Sequence, residues 1–246
     1  MFKDAPFIHL PATTPSAVFV FCDHATNHIP QSLKQLGLSD IDLNRHIAWD
    51  IGAETVTRMF CKTFGCSALL AGFSRLVIDP NRSLDSLDLI PETSDGTRIP
   101  GNQNLTPVER EFRINTFYKP YHLALETELD QVVAGAIDPL IISIHSFTRE
   151  MASGLSRELD IGLLWKVDKS KAERVKAEIE AVHPYRIELN QPYSALKLNH
   201  TMDQHVIPRG LRHITLEICQ DLIDTEQRAA LMAQHLTQAL RHFIYG

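Results

Sequence analysis

Apolar residues recur along the chain in two patterns. Short apolar or β-rich runs bounded by turn residues cover 17–22, 67–73, 140–145, 160–167 and 213–218, and each predicts a strand. Between them, 42–64, 106–134, 169–182 and 225–244 carry apolar positions at helical spacing, which predicts helices. Strands alternating with helices imply an α/β architecture: a mixed, largely parallel central sheet flanked by helices.

Local chemistry supports the helix ends. Thr106 followed by Pro107, with Glu109 three residues on, spells a cap, a proline at the first helical position and a capping box. In the last helix Leu231, Leu236, Leu240, Phe243 and Ile244 fall near one stripe, the face expected to pack on the sheet. Residues 79–103 are rich in Pro, Asn, Ser, Asp and Gly and predict a long loop, a feature that in compact domains often carries function. No repeat, linker or low-complexity tract divides the chain, so 1–246 is expected to form a single domain.

Three apolar strands run into polar, metal-capable residues. Val18–Cys22 leads to Asp23 and His24, 140–144 leads to His145, and 213–216 leads to Glu217. In open α/β sheets ligands bind beyond the carboxyl ends of the strands, so these groups are expected to share one crevice. Two imidazoles with carboxylates suit zinc, which takes three protein ligands in a catalytic site. His24 and His145 are the leading ligands, and Asp50, set in an apolar helical context, is the candidate third because burial of its charge requires a partner. Glu217 suits a general base that takes a proton from water and returns it to a leaving amine. Asp23 could orient an imidazole. The bland alternatives are hydrogen-bonded strand-end histidines, a surface Asp50, and a Glu217 paired with Arg212.

A second polar cluster brackets the strand-and-turn run 72–82. Arg75, Asn81 and Arg82 stand there, and an arginine fork fits a carboxylate bidentately. Arg75 and Arg82 either hold an acidic substrate or form salt bridges to Asp79 or Asp85.

Composition narrows the classes. With 246 residues, 44% hydrophobic and 22% charged, the chain is neither disordered nor collagen-like. A net charge of −6 without a basic stripe disfavours nucleic acid. The first fifteen residues lack a signal-peptide pattern and no apolar run approaches membrane length, so a cytoplasmic, non-membrane protein is expected. Cys22, Cys61, Cys66 and Cys219 lack paired C-x-x-C spacing and are expected to be reduced, buried thiols.

On these residues the sequence resembles the N-formylglutamate amidohydrolase family, in its branch of short amidohydrolases. The blocks carrying the likeness are 22–30 (CDHATNHIP), 46–53 (HIAWDIGA), 74–82 (SRLVIDPNR), 144–147 (IHSF) and 217–223 (EICQDLI). The resemblance implies a fold similar to the zinc carboxypeptidases and one zinc ion. It also implies cleavage of a small-molecule N-acyl amino acid such as N-formyl-L-glutamate. Carried over by block, His24, His145 and Asp50 are metal ligands and Glu217 is the base. Arg75, Asn81 and Arg82 hold a substrate carboxylate or polarise the carbonyl. His205, in a further similar block, is expected to contact substrate, with a hydrogen-bonded loop histidine as the alternative. Cys219 stands where the branch usually has arginine, which removes a cation near the base. Asn27, three residues after His24, is a poor zinc ligand, so the H-x-x-E spacing of carboxypeptidases is absent. A metal-dependent carboxypeptidase or another deacylase, and a silent protein binding an acidic metabolite, are the rival readings.

Overall fold

The computed structural model describes residues 4–135, 138–154 and 156–245; the first three residues of the N-terminal stretch discussed above lie outside them. An edge strand that the apolar pattern did not single out, β1 (Phe7–Leu10), comes first. The strands β2 (Val18–Cys22) and β3 (Ser67–Ala71) follow, each buried at every position. Between them lie α1 (Asp40–Leu43) and α2 (Ala53–Phe64). The long loop holds a small hairpin, β4 (Thr93–Ser94) with β5 (Thr97–Arg98). It leads into α3 (Pro107–Arg113), a π-helical turn (Ile114–Tyr118) and α4 (Lys119–Gly135). The second half comprises β6 (Leu140–Phe147), β7 (Ile161–Leu164), α5 (Lys169–Val182) and β8 (Ile187–Leu189). It ends with α6 (His200–His205), β9 (Arg212–Cys219) and α7 (Glu226–Tyr245).

The sheet order is β1-β3-β2-β6-β9-β7-β8. Its centre, β3-β2-β6-β9, is parallel, β1 and β7 join antiparallel, and β8 runs parallel to β7. The fold is therefore a mixed, mostly parallel sheet flanked by helices. Central strands covered on both faces read as continuous apolar runs, which is why they were visible in the sequence.

Side chains alternate between two cores. Val18, Val20, Ile142, Ile144, Leu216 and Ile218 face α2, α5 and α7, whereas Phe19, Phe21 and Ile141 face α4 and the loops beside it. Each large side chain fully buried in these layers contributes about 1.5–3 kcal/mol. The same alternation places Asp23, His145 and Glu217 on the α4 side, at the carboxyl ends of three neighbouring strands. In register, His145 pairs with Glu217 and Phe21 with Ser143.

Two expectations from the pattern need correction. The span 42–64 is not one helix: it breaks after α1 and restarts at α2, through a turn ending in Gly52 at φ 82°. A Cβ on Gly52 would collide with the Ile223 carbonyl, so the turn is held against the segment after β9, and Asp50 lies in that turn rather than in a helix. In α7, Leu231 is 52% exposed. The buried stripe there runs instead through Ala229, Met232, Ala233, Leu236, Ala239 and Leu240. The Thr106–Glu109 capping box forms as expected.

Candidate active site

The polar ends of β2, β6 and β9 open into a cavity of about 180 Å³. His24, Asp50, Arg75, Arg82, His145 and Glu217 all line it. Asp50 is held there by its own backbone, whose N–H donates to the His24 carbonyl at 2.9 Å. Its Oδ2 lies 3.3 Å from His24 Nδ1 and 2.9 Å from His145 Nδ1, and also accepts the Ser146 N–H at 3.2 Å. Asp50 thus bridges two imidazoles whose planes are inclined at 63°, with ring centroids 5.1 Å apart.

The outer ring nitrogens have carboxylate partners. His24 Nε2 donates to Asp79 Oδ1 at 2.8 Å, and His145 Nε2 lies 3.6 Å from Asp23 Oδ2. Tyr121 in turn donates its hydroxyl to Asp23 Oδ1 at 2.8 Å. Asp23 therefore faces His145 across the sheet, not its chain neighbour His24. The hydrogen bond to Asp79 fixes the His24 ring and raises its basicity, the usual support of a metal-ligating histidine, whereas Asp23 Oδ2 makes no hydrogen bond among the described residues and acts on His145 through charge alone.

The charges of the cluster are strongly coupled. Burial works against the Asp50 carboxylate, yet His24 and His145 hold it well below the usual range. Burial likewise opposes a charge on His145, but its hydrogen bond to Asp50 carries it up to about 9. Asp79 stays far below the ordinary value despite burial, because Arg75 and His24 both stabilise its charge. Glu217 differs: burial pushes its carboxyl up to about 7, and among the described residues its Oε2 has no hydrogen-bond partner. Arg212 is not its partner; that guanidinium bonds Asp138. An unused buried oxygen on a carboxyl group titrating near neutrality is a proton acceptor waiting for one.

Arg75 and Arg82 turn out differently. Arg75 donates to Asp79 Oδ2 at 2.6 Å, and its Nη1 stands 3.6 Å from Asp50 Oδ1 and 3.3 Å from His24 Nδ1. Its charge is largely taken by this pair, the salt-bridge alternative of the sequence reading. Among the described residues the Arg82 side chain bonds only the Asn81 carbonyl, through Nη1 at 2.8 Å, and its Nε is buried without a partner. Asn81 closes a turn by donating its N–H to Asp79 Oδ1, while its side-chain oxygen accepts from Thr201 N–H.

His205 does not reach the cavity. It lies behind the Pro80 turn, 2.7 Å from His122 Nδ1, and His122 Nε2 bonds the Pro80 carbonyl at 3.1 Å. It is a hydrogen-bonded histidine at the end of α6, turned toward α4 rather than lying in a loop. Cys219 is fully buried against Phe147 and Leu159. Residues the sequence reading passed over also line the cavity. Asp95 comes from the hairpin, and Tyr193 from the loop after β8. Asp95 accepts from Ala152 N–H at 3.0 Å and lies 3.3 Å from His46. His46 is pushed below the usual histidine range by burial, a shift opposed by Asp95.

The donor set fits a divalent cation: one ring nitrogen from each imidazole and a carboxylate oxygen fall within 4.8 Å of one another, the nitrogen-and-oxygen combination zinc favours. Fold and centre together define a class, a mixed α/β protein with a metal-capable His–Asp–His cluster beyond the carboxyl ends of parallel strands. Within it the chain belongs to the N-formylglutamate amidohydrolase family, whose sequence pattern matches residues 16–224. It is a hydrolase acting on an amide bond.

Solved structures agree on the fold. A gene product from Agrobacterium tumefaciens is 32% identical with a TM-score of 0.91, covering 98% of this chain and 97% of its own. An N-formylglutamate amidohydrolase from Ralstonia eutropha JMP134 is 20% identical with a TM-score of 0.69, covering 98% of each chain. A metallo-carboxypeptidase from Burkholderia cenocepacia, 14% identical with a TM-score of 0.37 over 95% of this chain and 59% of that one, is too distant to bear on fold or function. No curated protein matches the sequence.

Proposed function

We propose that the protein is a zinc-dependent amidohydrolase that cleaves an N-formyl amino acid, N-formyl-L-glutamate first among candidates, to formate and the free amino acid. One observation carries this reading. Asp50 Oδ2 stands within 3.3 Å of both imidazole Nδ1 atoms, while Glu217, register partner of His145, keeps a buried oxygen free beside them.

His24, Asp50 and His145 would hold the zinc ion, which when bound supplies the Lewis acidity that acidifies water and polarises a carbonyl. Glu217 takes one proton from the attacking water, whose oxygen forms a bond to the formyl carbon. The same carboxyl group returns that proton to the amide nitrogen as the carbon–nitrogen bond breaks, so protons balance over the cycle. Arg75, anchored by Asp79, faces the developing negative oxygen without having to reorganise. Arg82, the less committed arginine, takes the substrate carboxylate next to the scissile nitrogen. Asn81 keeps that arginine's turn in place.

We place this activity in the cytoplasm, where four free, buried cysteines suit reducing conditions. Among the described residues no helix is long and apolar enough to cross a membrane.

The test is formate release from N-formyl-L-glutamate by purified protein, with zinc content measured on the same sample. Formate release that scales with bound zinc is expected. No release from any of a panel of N-acyl amino acids by zinc-loaded protein would overturn the reading.

A further inference from the structure

An N-formyl amino acid carries its α-carboxylate on the same carbon as the scissile nitrogen, whereas a second, side-chain carboxylate sits at the far end of the molecule. Reading both requires two cations at different distances from the centre. Arg82 is the near one, because its segment also carries Asp79, the partner of His24. Arg75 is engaged by Asp79 and Asp50.

A second cation, Arg157, stands beside the cavity, in contact with three of its lining residues although not one of them itself. Arg157 comes from the loop joining β6 to β7, and its guanidinium carbon lies 4.9 Å from the Tyr193 ring centroid and 5.9 Å from that of Phe147. Both rings line the cavity, as does Thr148, whose carbonyl accepts from Arg157 Nη1 at 3.1 Å. The arginine is fixed at its base: its N–H donates to the Arg149 carbonyl at 2.9 Å, and Arg149 Nη1 donates back to the Arg157 carbonyl at 3.1 Å. Among the described residues no carboxylate pairs with it. A guanidinium laid on aromatic faces keeps its in-plane donors available, and the rings limit the entropy lost when a carboxylate docks.

We propose that Arg157 is the specificity-determining residue that recognises the side-chain carboxylate of the substrate, held for that task on Tyr193 and Phe147. This rests on the hydrolase reading above for the identity of the substrate, but not for its test. A neutral side chain in the same place would leave the guanidinium without its partner, so selection acts through charge rather than through pocket size.

The experiment compares equilibrium binding of L-glutamate and its neutral isostere L-glutamine, by calorimetry, in the wild-type protein, Arg157→Gln and Arg157→Lys. The expected result is preference for glutamate in the wild type, lost by about tenfold or more in Arg157→Gln, partly restored in Arg157→Lys, with glutamine affinity unmoved. An equal loss for both amino acids would mark Arg157 as merely structural and overturn the proposal. So would unchanged glutamate affinity, or a wild type that does not distinguish the two. Formate release is followed in parallel, where Arg157→Gln should raise KM for N-formyl-L-glutamate and leave kcat within about twofold. If the wild type released no formate from N-formyl-L-glutamate while glutamate binding still depended on Arg157, the choice of N-formyl-L-glutamate as substrate would fall and the Arg157 assignment would stand.

Discussion

Gly162 and Glu217 are register partners in the antiparallel β7–β9 pair, and the missing side chain of Gly162 decides what Glu217 faces. A Cβ there would collide with the Gln191 carbonyl oxygen and come within 3.2 Å of Glu217 Cβ. The loop after β8 can therefore cross close over β7 and bring Tyr193 onto the cavity wall beside Glu217. Gly162→Ala should cost about 1–3 kcal/mol of stability, the scale of overpacking. It should also lower turnover in the fraction that stays folded, because the loop must move. Denaturant titration and turnover per folded molecule check this; unchanged values of both would mean that the loop has room to spare.

Asp79 supports the centre from behind. It accepts from His24 Nε2 and pairs with Arg75, so its removal both frees the imidazole to rotate and leaves a cation beside the ligands. Asp79→Ala should weaken zinc binding about 10–100-fold, as read by competition against a chelator of known affinity. An unaltered zinc affinity would show that the imidazole needs no partner there.

Arg82 should separate binding from chemistry. If it grips the carboxylate equally in ground and transition states, Arg82→Ala raises KM with kcat nearly unchanged. Steady-state kinetics on N-formyl-L-glutamate make the distinction, and a loss confined to kcat would move Arg82 to the developing oxyanion.

Acid stability depends on a different pair. Burial pushes His122 down to about 3 and His205 down to about 4, and the two rings titrate together across their 2.7 Å contact. Unfolded histidines take up protons near pH 6.5, so between pH 6.5 and these lower values the unfolded chain binds more protons. The stability this pair contributes is present above about pH 6.5 and is lost as pH falls toward 4 and then 3. His205→Gln should therefore reduce the loss of stability between pH 6.5 and 5 by at most about 2 kcal/mol. Denaturant titrations at the two pH values give the comparison, and an identical acid response in both proteins would contradict it.

The centre of the sheet was legible because strands buried on both faces must be almost wholly apolar. The edge strands were not: β1 is only partly buried and β8 spans three residues, too short for a periodic signal. His24, His145 and Glu217 stood out because a polar group ending an apolar strand needs a partner. The need of a buried charge for a partner pointed to Asp50, which does meet both imidazoles, but its element was misread, since Ile47, Ala48 and Ile51 keep helical spacing through a turn that Gly52 ends. Asp79 escaped notice as a partner of His24 because aspartate before Pro-Asn is ordinary turn chemistry. Arg157 and Tyr193 come from separate loops, and only the close crossing over Gly162 brings Tyr193 to the site. His205 was misplaced because a block of histidines near the last strand says nothing about which way a short helix turns them.

The most direct measurement is zinc content and formate release, determined side by side for the wild-type protein, Glu217→Gln and His145→Ala. Glu217→Gln should keep its zinc and lose turnover by about 10²–10⁴-fold, the usual share of a general base, whereas His145→Ala should lose both. Zinc retained with undiminished turnover in both variants would contradict the assignment of this cluster as the catalytic centre.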